Sequence, residues 1–391
     1  MDALPFYPFV LDAAVRDRKV EDMPMKVIQW GAGYTGAHAL RYLINNPAYE
    51  VVGVKCFTAA KEGTDAGEIA GLGPIGVAAT RDVDALLATN ADVVLYMPRD
   101  ALTDPSVADS PSRGWYVDLL PILASGKNVI SPICSATHYR HLADPEGFLA
   151  GLNEACATGR STVAFFGLDP GFLTDALPLT MAGAVGEVTQ IRTYEVLLYA
   201  EYTEAETLSM LGFGARPQDL PPEGIESLKV SWGGVPYLVA EATGVLIEDI
   251  TVDIDVALSP DTFTSPGGVT IGEGTIAGIK FSVSGISGGA PVVVVNHVTR
   301  MRADIGPDWP NVGTVGGYRI EIDSFPPFVG DFPLGLPGGT GSSFDDAMAM
   351  TAARCVNAID AVVAASPGYK TFLDLAPLVG QHTIKAAAVS V

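Results

Sequence analysis

The chain has 391 residues, of which 48% are hydrophobic and 17% are charged, and its formal net charge at pH 7 is −22. This length exceeds the size at which one hydrophobic core usually stops growing, so we expect two domains. The negative charge would repel phosphate backbones and anionic lipid headgroups, which argues against nucleic-acid and membrane partners.

Residues 1–24 form an N-terminal extension whose early acidic residues and broken apolar stretches do not match a secretory signal. Later apolar runs such as PVVVVNHV are far shorter than the ~20 residues that span a bilayer. The four cysteines are widely scattered and form no C-x-x-C pair, which argues against a disulfide framework and a metal site. We therefore expect a cytoplasmic protein.

The first part of the chain, residues 25–168, alternates strand-like and helical patterns. The runs MKVIQW, YEVVGVKCF, ADVVLYM, GKNVIS and STVAFFG are short and apolar, and helical stretches such as AHALRYLINN separate several of them. Unbroken apolar strands separated by helices are typical of a parallel sheet covered on both faces. The pattern predicts an α/β fold with a Rossmann-type, doubly wound parallel sheet.

The pattern changes near Gly186, where the strands become longer and alternate between apolar and polar residues. Examples are EVTQIRTYEVLLYAEY, GTIAGIKFSVSG and APVVVVNHVTRMRADI, with glycine-rich turns between them. This predicts a second α+β domain over residues 169–343, with an open, mostly antiparallel sheet. Residues 344–391 contain a final helix, which ends at a glycine, and a tail.

Three glycines, Gly31, Gly33 and Gly36, form G-x-G-x-x-G directly after the first predicted strand. In a dinucleotide-binding turn the first glycine permits the tight bend, the second lets the backbone approach a pyrophosphate, and the third allows close helix–strand packing. The pyrophosphate would bind the amide groups at the start of the helix, where Tyr34 and Thr35 lie. We therefore predict a nicotinamide-dinucleotide site.

The end of the second strand, VVGVKCFTAAKEG, indicates which cofactor is preferred. An acid there would bind the ribose 2′-hydroxyl of NAD, whereas basic or hydroxyl residues accommodate the 2′-phosphate of NADP. The segment carries Lys55, Thr58 and Lys61, and its first acid is Glu62. This composition favours NADP(H), with NAD(H) as a second option.

Further site residues are expected where the parallel strands end, because ligands bind at the carboxyl edge of open α/β sheets. The fourth strand ends at Met97 and Pro98, whose backbone we expect beside the nicotinamide ribose. The fifth ends in SPICSATHYRHL, which brings Thr137 and His138 to the same edge. The sixth runs into GLDPGFLTDALP, where Asp169 is expected to cap the following helix or orient the turn.

Five motifs give the chain a resemblance to a known family: WGAGYTG, DAGEIAGLGPIGV, G-x-D-P-G, LGFG and CVNAIDAVVAASPG. Together they resemble the NAD(P)H-dependent native amine dehydrogenases and 2,4-diaminopentanoate dehydrogenase, within the dihydrodipicolinate-reductase-like superfamily. The resemblance implies a Rossmann domain completed by the C-terminal helix and tail, a substrate-binding and dimerisation domain, and a homodimer.

The resemblance also implies a reaction, the reversible reductive amination of a ketone or aldehyde with ammonia and NAD(P)H. In relatives that resemble this branch, the proton-transfer base is a glutamate in the loop after the fifth strand, in a motif like C-E-E-L. The matching stretch here, CSATHY at residues 134–139, has no carboxylate.

Other residues are therefore considered for proton transfer. Glu195 and Glu201 lie on the predicted strand RTYEVLLYAEY, and their even separation predicts that both point to one face, with Tyr199. A partly buried glutamate on that face would have a raised pKa suited to a base, and a solvated strand face is the alternative. His138, with Thr137 beside it, titrates in the right range, and a structural loop histidine is the alternative.

Asn357 is a candidate hydrogen-bond donor to the nicotinamide or the substrate, with helix packing as the alternative.

The paired histidines and the K-x-D-x-P-S-G-T loop of a true dihydrodipicolinate reductase do not occur. The remaining alternatives are an NADP-dependent ketone or amino-acid dehydrogenase and a non-catalytic NADP-binding sensor. Few arginines are present to bind a carboxylate, so a substrate without one is preferred.

Overall fold

The computed structural model describes residues 23–98, 116–133, 148–202, 205–220, 223–375 and 377–383. Its first sheet has seven strands in the order β15-β6-β5-β4-β1-β2-β3, and each neighbouring pair is parallel. These strands are β1 (Met25–Trp30), β2 (Tyr49–Lys55), β3 (Ala79–Thr80), β4 (Val93–Tyr96), β5 (Asn128–Ser131), β6 (Thr162–Phe165) and β15 (Gly368–Lys370).

Helices cover both faces of this sheet, because neighbouring strand residues face opposite sides. In β1, Val27 belongs to a hydrophobic cluster with Leu40, whereas Ile28 belongs to a second cluster with Ile122. The predicted doubly wound α/β fold is confirmed. The helices of this part are α1 (Tyr34–Ile44), α2 (Ala66–Ile69), α3 (Val83–Ala88), α4 (Tyr116–Ala124) and α5 (Phe148–Gly159).

The second sheet has six strands in the order β14-β13-β7-β12-β11-β8. Only β7 and β12 among these neighbours are parallel, and the other four pairs are antiparallel, as the alternating pattern predicts. The strands are β7 (Gly186–Leu198), β8 (Asp249–Leu258), β11 (Ile276–Ser287), β12 (Ala290–Arg300), β13 (Gly316–Phe325) and β14 (Phe328–Pro333), and a separate hairpin joins β9 (Phe263–Thr264) and β10 (Thr270–Ile271).

One face of the second sheet packs against helices. Ile191, Val295 and Ile320 on this face form a cluster with Val235 and Val239 of a helix. The opposite face carries charged cross-strand pairs, such as Arg192 with Glu321 and Asp323. The sheet therefore has one packed face and one face that is open around these charged pairs, whereas Val312 and Trp309 cover the other end of that face by packing on Val196 and Val298. The helices of this part are α6 (Ala176–Ala182), α7 (Ala205–Met210), α8 (Glu223–Trp232) and α9 (Gly234–Thr243).

The C-terminal part of the chain returns to the first sheet. Helix α10 (Ser343–Asn357) packs along α1, and α11 (Ile359–Ala364) follows it. The stretch Ser343–Ala364 is long and apolar enough to cross a membrane by length and composition alone. However, Ala352 and Cys355 are buried in the cluster that contains Val27, so this stretch packs on the first sheet.

The two sheets use separate segments of the chain. The strands of the first sheet lie within residues 25–165 and 368–370, and those of the second within residues 186–333. The exact limits of the four predicted segments stay a prediction. Most of the predicted extension, residues 1–22, lies outside the described residues.

Candidate active site

The three motif glycines have distinct environments at the turn between β1 and α1. Gly31 has a φ of +108°, and a side chain there would come within 2.2 Å of the Met97 carbonyl oxygen. A side chain at Gly36 would come within 2.0 Å of the Gly31 carbonyl oxygen. Around Gly33, no heavy atom of the described residues, apart from Gly33 and its two chain neighbours, lies within 4 Å of the position that a Cβ would occupy. This open space fits a pyrophosphate against the backbone.

The start of α1 supplies donors for that pyrophosphate. Gly33 is the N-cap residue, and within the described part of the chain no side chain caps the helix. The first amide groups of a helix lack intrahelical acceptors, so they can bind an anion. The Thr35 hydroxyl lies 3.6 Å from Met348 Sδ, and the Tyr34 ring lies 5.8 Å from that of Phe344. The turn therefore fits a dinucleotide.

The side chain of Lys55 makes its contacts within the protein. Its side chain is buried, and its ammonium group donates to the carbonyls of Cys56 (3.0 Å) and Arg81 (3.3 Å). Two of its three N–H groups are thus used within the protein, and the contact of Lys55 with the 2′-phosphate stays a prediction. Thr58 and Lys61 are exposed at the same strand end, and Lys61 reaches across to the Ala32 carbonyl.

The end of β4 lies beside the glycine turn. The Met97 amide donates to the Trp30 carbonyl at 2.6 Å, and the Met97 carbonyl faces Gly31. Pro98 follows directly, so both residues lie at the edge where the sequence places the cofactor. Thr137 and His138 lie outside the described residues.

Glu195 is the centre of a buried polar row that crosses the second sheet. It lies on β7, opposite His297 of β12 and opposite Tyr318 of β13 on the other side. Its Oε1 atom is 3.2 Å from His297 Nδ1, and its Oε2 atom accepts a hydrogen bond of 2.6 Å from the Tyr318 hydroxyl. Strand register alone brings these three residues together.

Asp169 extends this row from the turn after β6. Its Oδ2 atom is 3.1 Å from His297 Nε2, and its Oδ1 atom accepts a hydrogen bond of 3.1 Å from the Trp232 indole. Of the two roles expected for Asp169, capping the next helix is wrong, because Asp175 is the N-cap residue of α6 and also accepts from the Gly171 amide. Asp169 instead faces the second sheet.

His297 lies between two carboxylates. The ligand atoms of Asp169, Glu195 and His297 lie within 4.8 Å of one another, a spacing that a metal site would also have. However, each ring nitrogen faces a different carboxylate, so the arrangement is a chain of ion pairs. The ring stacks on Phe281 with centroids 4.6 Å apart and meets the edge of Trp232.

The charges of this row depend on one another. Burial disfavours the charged form of His297, but the carboxylates of Asp169 and Glu195 outweigh this and raise the pKa of His297 to about 10. Burial alone would raise the pKa of Glu195, whereas the His297 charge and the Tyr318 hydrogen bond lower it below its ordinary value. The expected raised pKa is therefore wrong for Glu195. Burial raises the pKa of Asp169 despite the opposing effect of His297.

Access to solvent differs along the row. The exposed fraction of the side chain is 11% for Glu195, 4% for His297 and 2% for Asp169. Glu195 is therefore the carboxylate that a small ligand reaches most easily. With both carboxylates ionised and His297 protonated, the row carries a formal charge of −1.

Glu201 does not share the face of Glu195, which contradicts the expectation from even spacing. Strand β7 ends at Leu198, and the Tyr202 amide donates to the Tyr199 carbonyl in a turn (3.1 Å). Glu201 is exposed in that turn, and its charge is one of the minor causes that raise the pKa of Tyr34.

Asn357 lies far from the predicted nicotinamide contact. It is the last residue of α10, and a side chain at Gly380 would come within 2.3 Å of its Oδ1 atom. The Val356 carbonyl next to it faces the hydroxyl of Tyr49, the first residue of β2 (3.5 Å). This is the amino edge of the sheet, opposite the cofactor edge. The structure favours the alternative of helix packing.

His297, Tyr318 and Trp232 are site residues that the sequence analysis does not single out. His297 and Tyr318 interrupt apolar strands, in VVVVNHV and GGYRIEI, which is a weak signal for a buried polar row. Only the order of the strands in the sheet and their register show that these three residues surround Glu195 and Asp169.

Comparisons with known proteins agree with this architecture. Residues 172–387 match the model of the 2,4-diaminopentanoate dehydrogenase C-terminal domain. An amine dehydrogenase of Streptomyces virginiae is 31% identical over 365 residues, which cover 91% of this chain and 98% of that protein. The 2,4-diaminopentanoate dehydrogenase of Acetoanaerobium sticklandii is 23% identical over 361 residues, with 90% and 93% coverage. The structure of an amine dehydrogenase from Mycobacterium smegmatis shares the fold, with a TM-score of 0.72, 19% identity, and coverage of 90% of this chain and 96% of that one.

Proposed function

The chain belongs to the amine dehydrogenase family, and we propose that it catalyses the reversible reductive amination of a ketone or aldehyde that lacks a carboxylate, with ammonia and NADP(H). Membership of the family makes it a nicotinamide-dependent oxidoreductase that acts on CH–NH2 groups. The observation that carries the proposal is the buried anionic row, whose most accessible member is Glu195.

Glu195 is suited to bind and deprotonate an ammonium ion. Its carboxylate is ionised, because His297 and Tyr318 both stabilise the charged form, and a buried anion attracts a cation more strongly than a solvated one. When Glu195 accepts one proton, ammonium becomes ammonia, which can add to the carbonyl carbon. The added nitrogen passes one of its protons to the oxygen, and the protonated carboxyl returns its proton to the same oxygen, which leaves as water. The iminium product of this step faces an ionised Glu195 again.

The residues of the glycine turn would hold the cofactor, which supplies the hydride when bound. Gly33 and the first amides of α1 would bind the pyrophosphate, and Met97 and Pro98 would lie beside the nicotinamide ribose. Thr58, Lys61 and Arg81 support the preference for NADP(H), because all three are exposed near the end of β2. Glu62, the first acid, is paired with Arg81 at 2.7 Å.

The charge of the site supports a substrate without a carboxylate. A carboxylate on the substrate would be repelled by the negative charge of Asp169 and Glu195. The Arg354 guanidinium reaches the same turn, but it donates to the carbonyls of Gly171 and Leu378. It is therefore engaged in holding the turn and the tail.

We also propose a homodimer in the cytoplasm. The open face of the second sheet, with its charged pairs around Arg192 and Arg319, is suited to a second copy of the chain. The net charge of −22 supports the proposed absence of nucleic-acid and membrane partners. Light scattering on the purified protein tests the dimer, since a mass of one chain at all concentrations would contradict it.

The reaction is tested by following NADPH oxidation with a panel of ketones and aldehydes, each with and without ammonium. We expect oxidation that requires ammonium and yields the amine. Oxidation without ammonium, with an alcohol as product, would assign a ketone reductase instead. Binding of NADPH without turnover across the whole panel would assign a sensor.

A further inference from the structure

We propose that His297 and Asp169 are positioning residues: the imidazolium between the two carboxylates keeps Glu195 ionised and oriented, so that the site accepts one cationic nitrogen. That nitrogen is the ammonium ion in one direction and the protonated amine in the other. This inference rests on the proposed function, and it identifies the part of the site that recognises the nitrogen.

The geometry gives His297 one hydrogen bond and one looser ion pair. The Nδ1–Glu195 contact of 3.2 Å is a hydrogen bond. The Nε2–Asp169 contact of 3.1 Å is within ion-pair distance, yet among the described residues neither Nε2 nor Asp169 Oδ2 has an aligned hydrogen-bond partner. His297 therefore orients Glu195 directly, whereas Asp169 acts on His297 mainly through its charge.

Packing fixes the imidazole ring in this position. Phe281 of β11 lies parallel to it, with an angle of 7° between the ring planes. Trp232 of α8 packs against both the imidazole and Phe281, and it also donates a hydrogen bond to Asp169. The two aromatic contacts and a carboxylate at each ring nitrogen hold the imidazole toward Glu195, so the carboxylate keeps one oxygen on His297 and the other on Tyr318.

Charge sets what the row can accept. Two carboxylates without His297 would place two negative charges in a buried space, where one of them would become protonated. With His297 protonated, the row keeps a formal charge of −1, which one monovalent cation neutralises. The titratable groups that face this row are Asp169, Glu195, Tyr318 and Tyr199, and burial raises the pKa of both tyrosines well above its ordinary value. Both tyrosines therefore remain neutral over the pH range in which the reaction would be measured.

Removing the imidazolium should change the pH dependence of the reaction. In His297→Gln the imidazolium no longer opposes the effect of burial on Glu195, and only the Tyr318 hydrogen bond still favours its charged form, so the pKa of Glu195 should rise by about 1–3 units. The acid limb of the profile of kcat/KM against pH should therefore move to higher pH, and activity should partly recover at alkaline pH. A structural defect would instead lower the rate equally at every pH. His382→Gln, an exposed histidine near the end of the described chain, is the matched control and should keep the wild-type profile.

Removing the Asp169 charge should affect the nitrogen substrate selectively. In Asp169→Asn the row loses its net negative charge, so the KM for ammonium should rise by at least about tenfold, with little change in the KM for ketone or NADPH. Asp304→Asn, which breaks an exposed ion pair with Arg302, is the matched control. Equal increases in all three KM values would contradict the positioning role of Asp169.

A measurement without turnover separates this inference from the proposed function. The chain has five histidines, so the imidazole resonance of His297 can be assigned by NMR as the one missing from His297→Gln. We expect it to stay protonated to about pH 10 in the wild-type protein. Titration near pH 6.5 would overturn the inference even if the enzyme aminates ketones. Protonation to pH 10 in a protein without ammonium-dependent activity would instead refute the proposed function alone.

Discussion

Tyr318 donates a hydrogen bond of 2.6 Å to Glu195 from the strand that flanks β7 on the side opposite His297. The two oxygens of one carboxylate are thus held from two neighbouring strands. Because both contacts favour the charged form, either one can be removed to measure how strongly the protein keeps Glu195 ionised.

Removal of the Tyr318 hydrogen bond should move the acid limb of the pH profile to higher pH. A hydrogen bond to a charged group stabilises by about 1.5–3 kcal/mol, so Tyr318→Phe should raise the pKa of Glu195 by about 1–2 units. The profile of kcat/KM against pH measures this shift. An unchanged limb would show that Tyr318 only fills space.

Glu195 itself should be required for the rate. Loss of a catalytic acid–base group typically lowers the rate ~10²–10⁴-fold, so Glu195→Gln should lose kcat on this scale while NADPH binding persists. Glu201→Gln should lose less than about tenfold, because Glu201 lies in an exposed turn beyond β7. Steady-state kinetics with saturating ammonium compares the two variants. If Glu195→Gln keeps near-full activity, the proton passes through another group.

The observed positions of the two glutamates show which features of the structure could be predicted from the sequence. The fold is predictable because apolar runs and the glycine turn are local signals that each strand carries by itself. Glu195 lies on a strand as predicted, because the alternating pattern of RTYEVLLYAEY is also a local signal, whereas its role in catalysis stays a prediction. Glu201 is misplaced because the chain turns between Tyr199 and Tyr202, although the alternating pattern continues through this segment.

Other side-chain contacts could not be predicted for a similar reason. His297 is about a hundred residues from Glu195 in the chain, and only the parallel register of β12 and β7 brings them together. Lys55 has the expected residue type at the expected strand end, but its long side chain folds onto two backbone carbonyls. Residue type and spacing do not determine such long-range contacts.

Protonation of His297 should contribute to stability in a defined pH range. Its pKa is about 10 in the folded protein and near 6.5 when unfolded. A raised pKa means that the contribution is fully present below about pH 6.5 and is lost as the pH rises through 10. The free energy of unfolding of the wild type, measured relative to His297→Gln, should therefore fall between these limits. A pH-independent difference between the two proteins would contradict the charged state of His297.

Gly33 should be required for the cofactor and not for the fold. Its Cβ position has open space around it, and its φ of −79° suits any residue. Gly33→Val should therefore keep the wild-type melting temperature and lose measurable NADPH binding by calorimetry. Gly73 also has open space around it among the described residues, and Gly73→Val should bind NADPH normally. Unchanged affinity in Gly33→Val would place the pyrophosphate elsewhere.

The two lysines at the end of β2 should affect the cofactors differently. Lys61 is exposed and reaches across the glycine turn to the Ala32 carbonyl, so it can meet the 2′-phosphate of NADP. A charged contact of about 1.5–3 kcal/mol corresponds to about tenfold or more in affinity. Lys61→Ala should therefore weaken the binding of NADPH by that factor and leave the binding of NADH unchanged.

Lys55→Met should lower the melting temperature and weaken the binding of both cofactors alike, because it removes a buried ammonium from two carbonyls. Calorimetric titration of each variant with both cofactors shows which lysine contacts the 2′-phosphate. Selective loss of NADPH binding in Lys55→Met would assign that contact to Lys55.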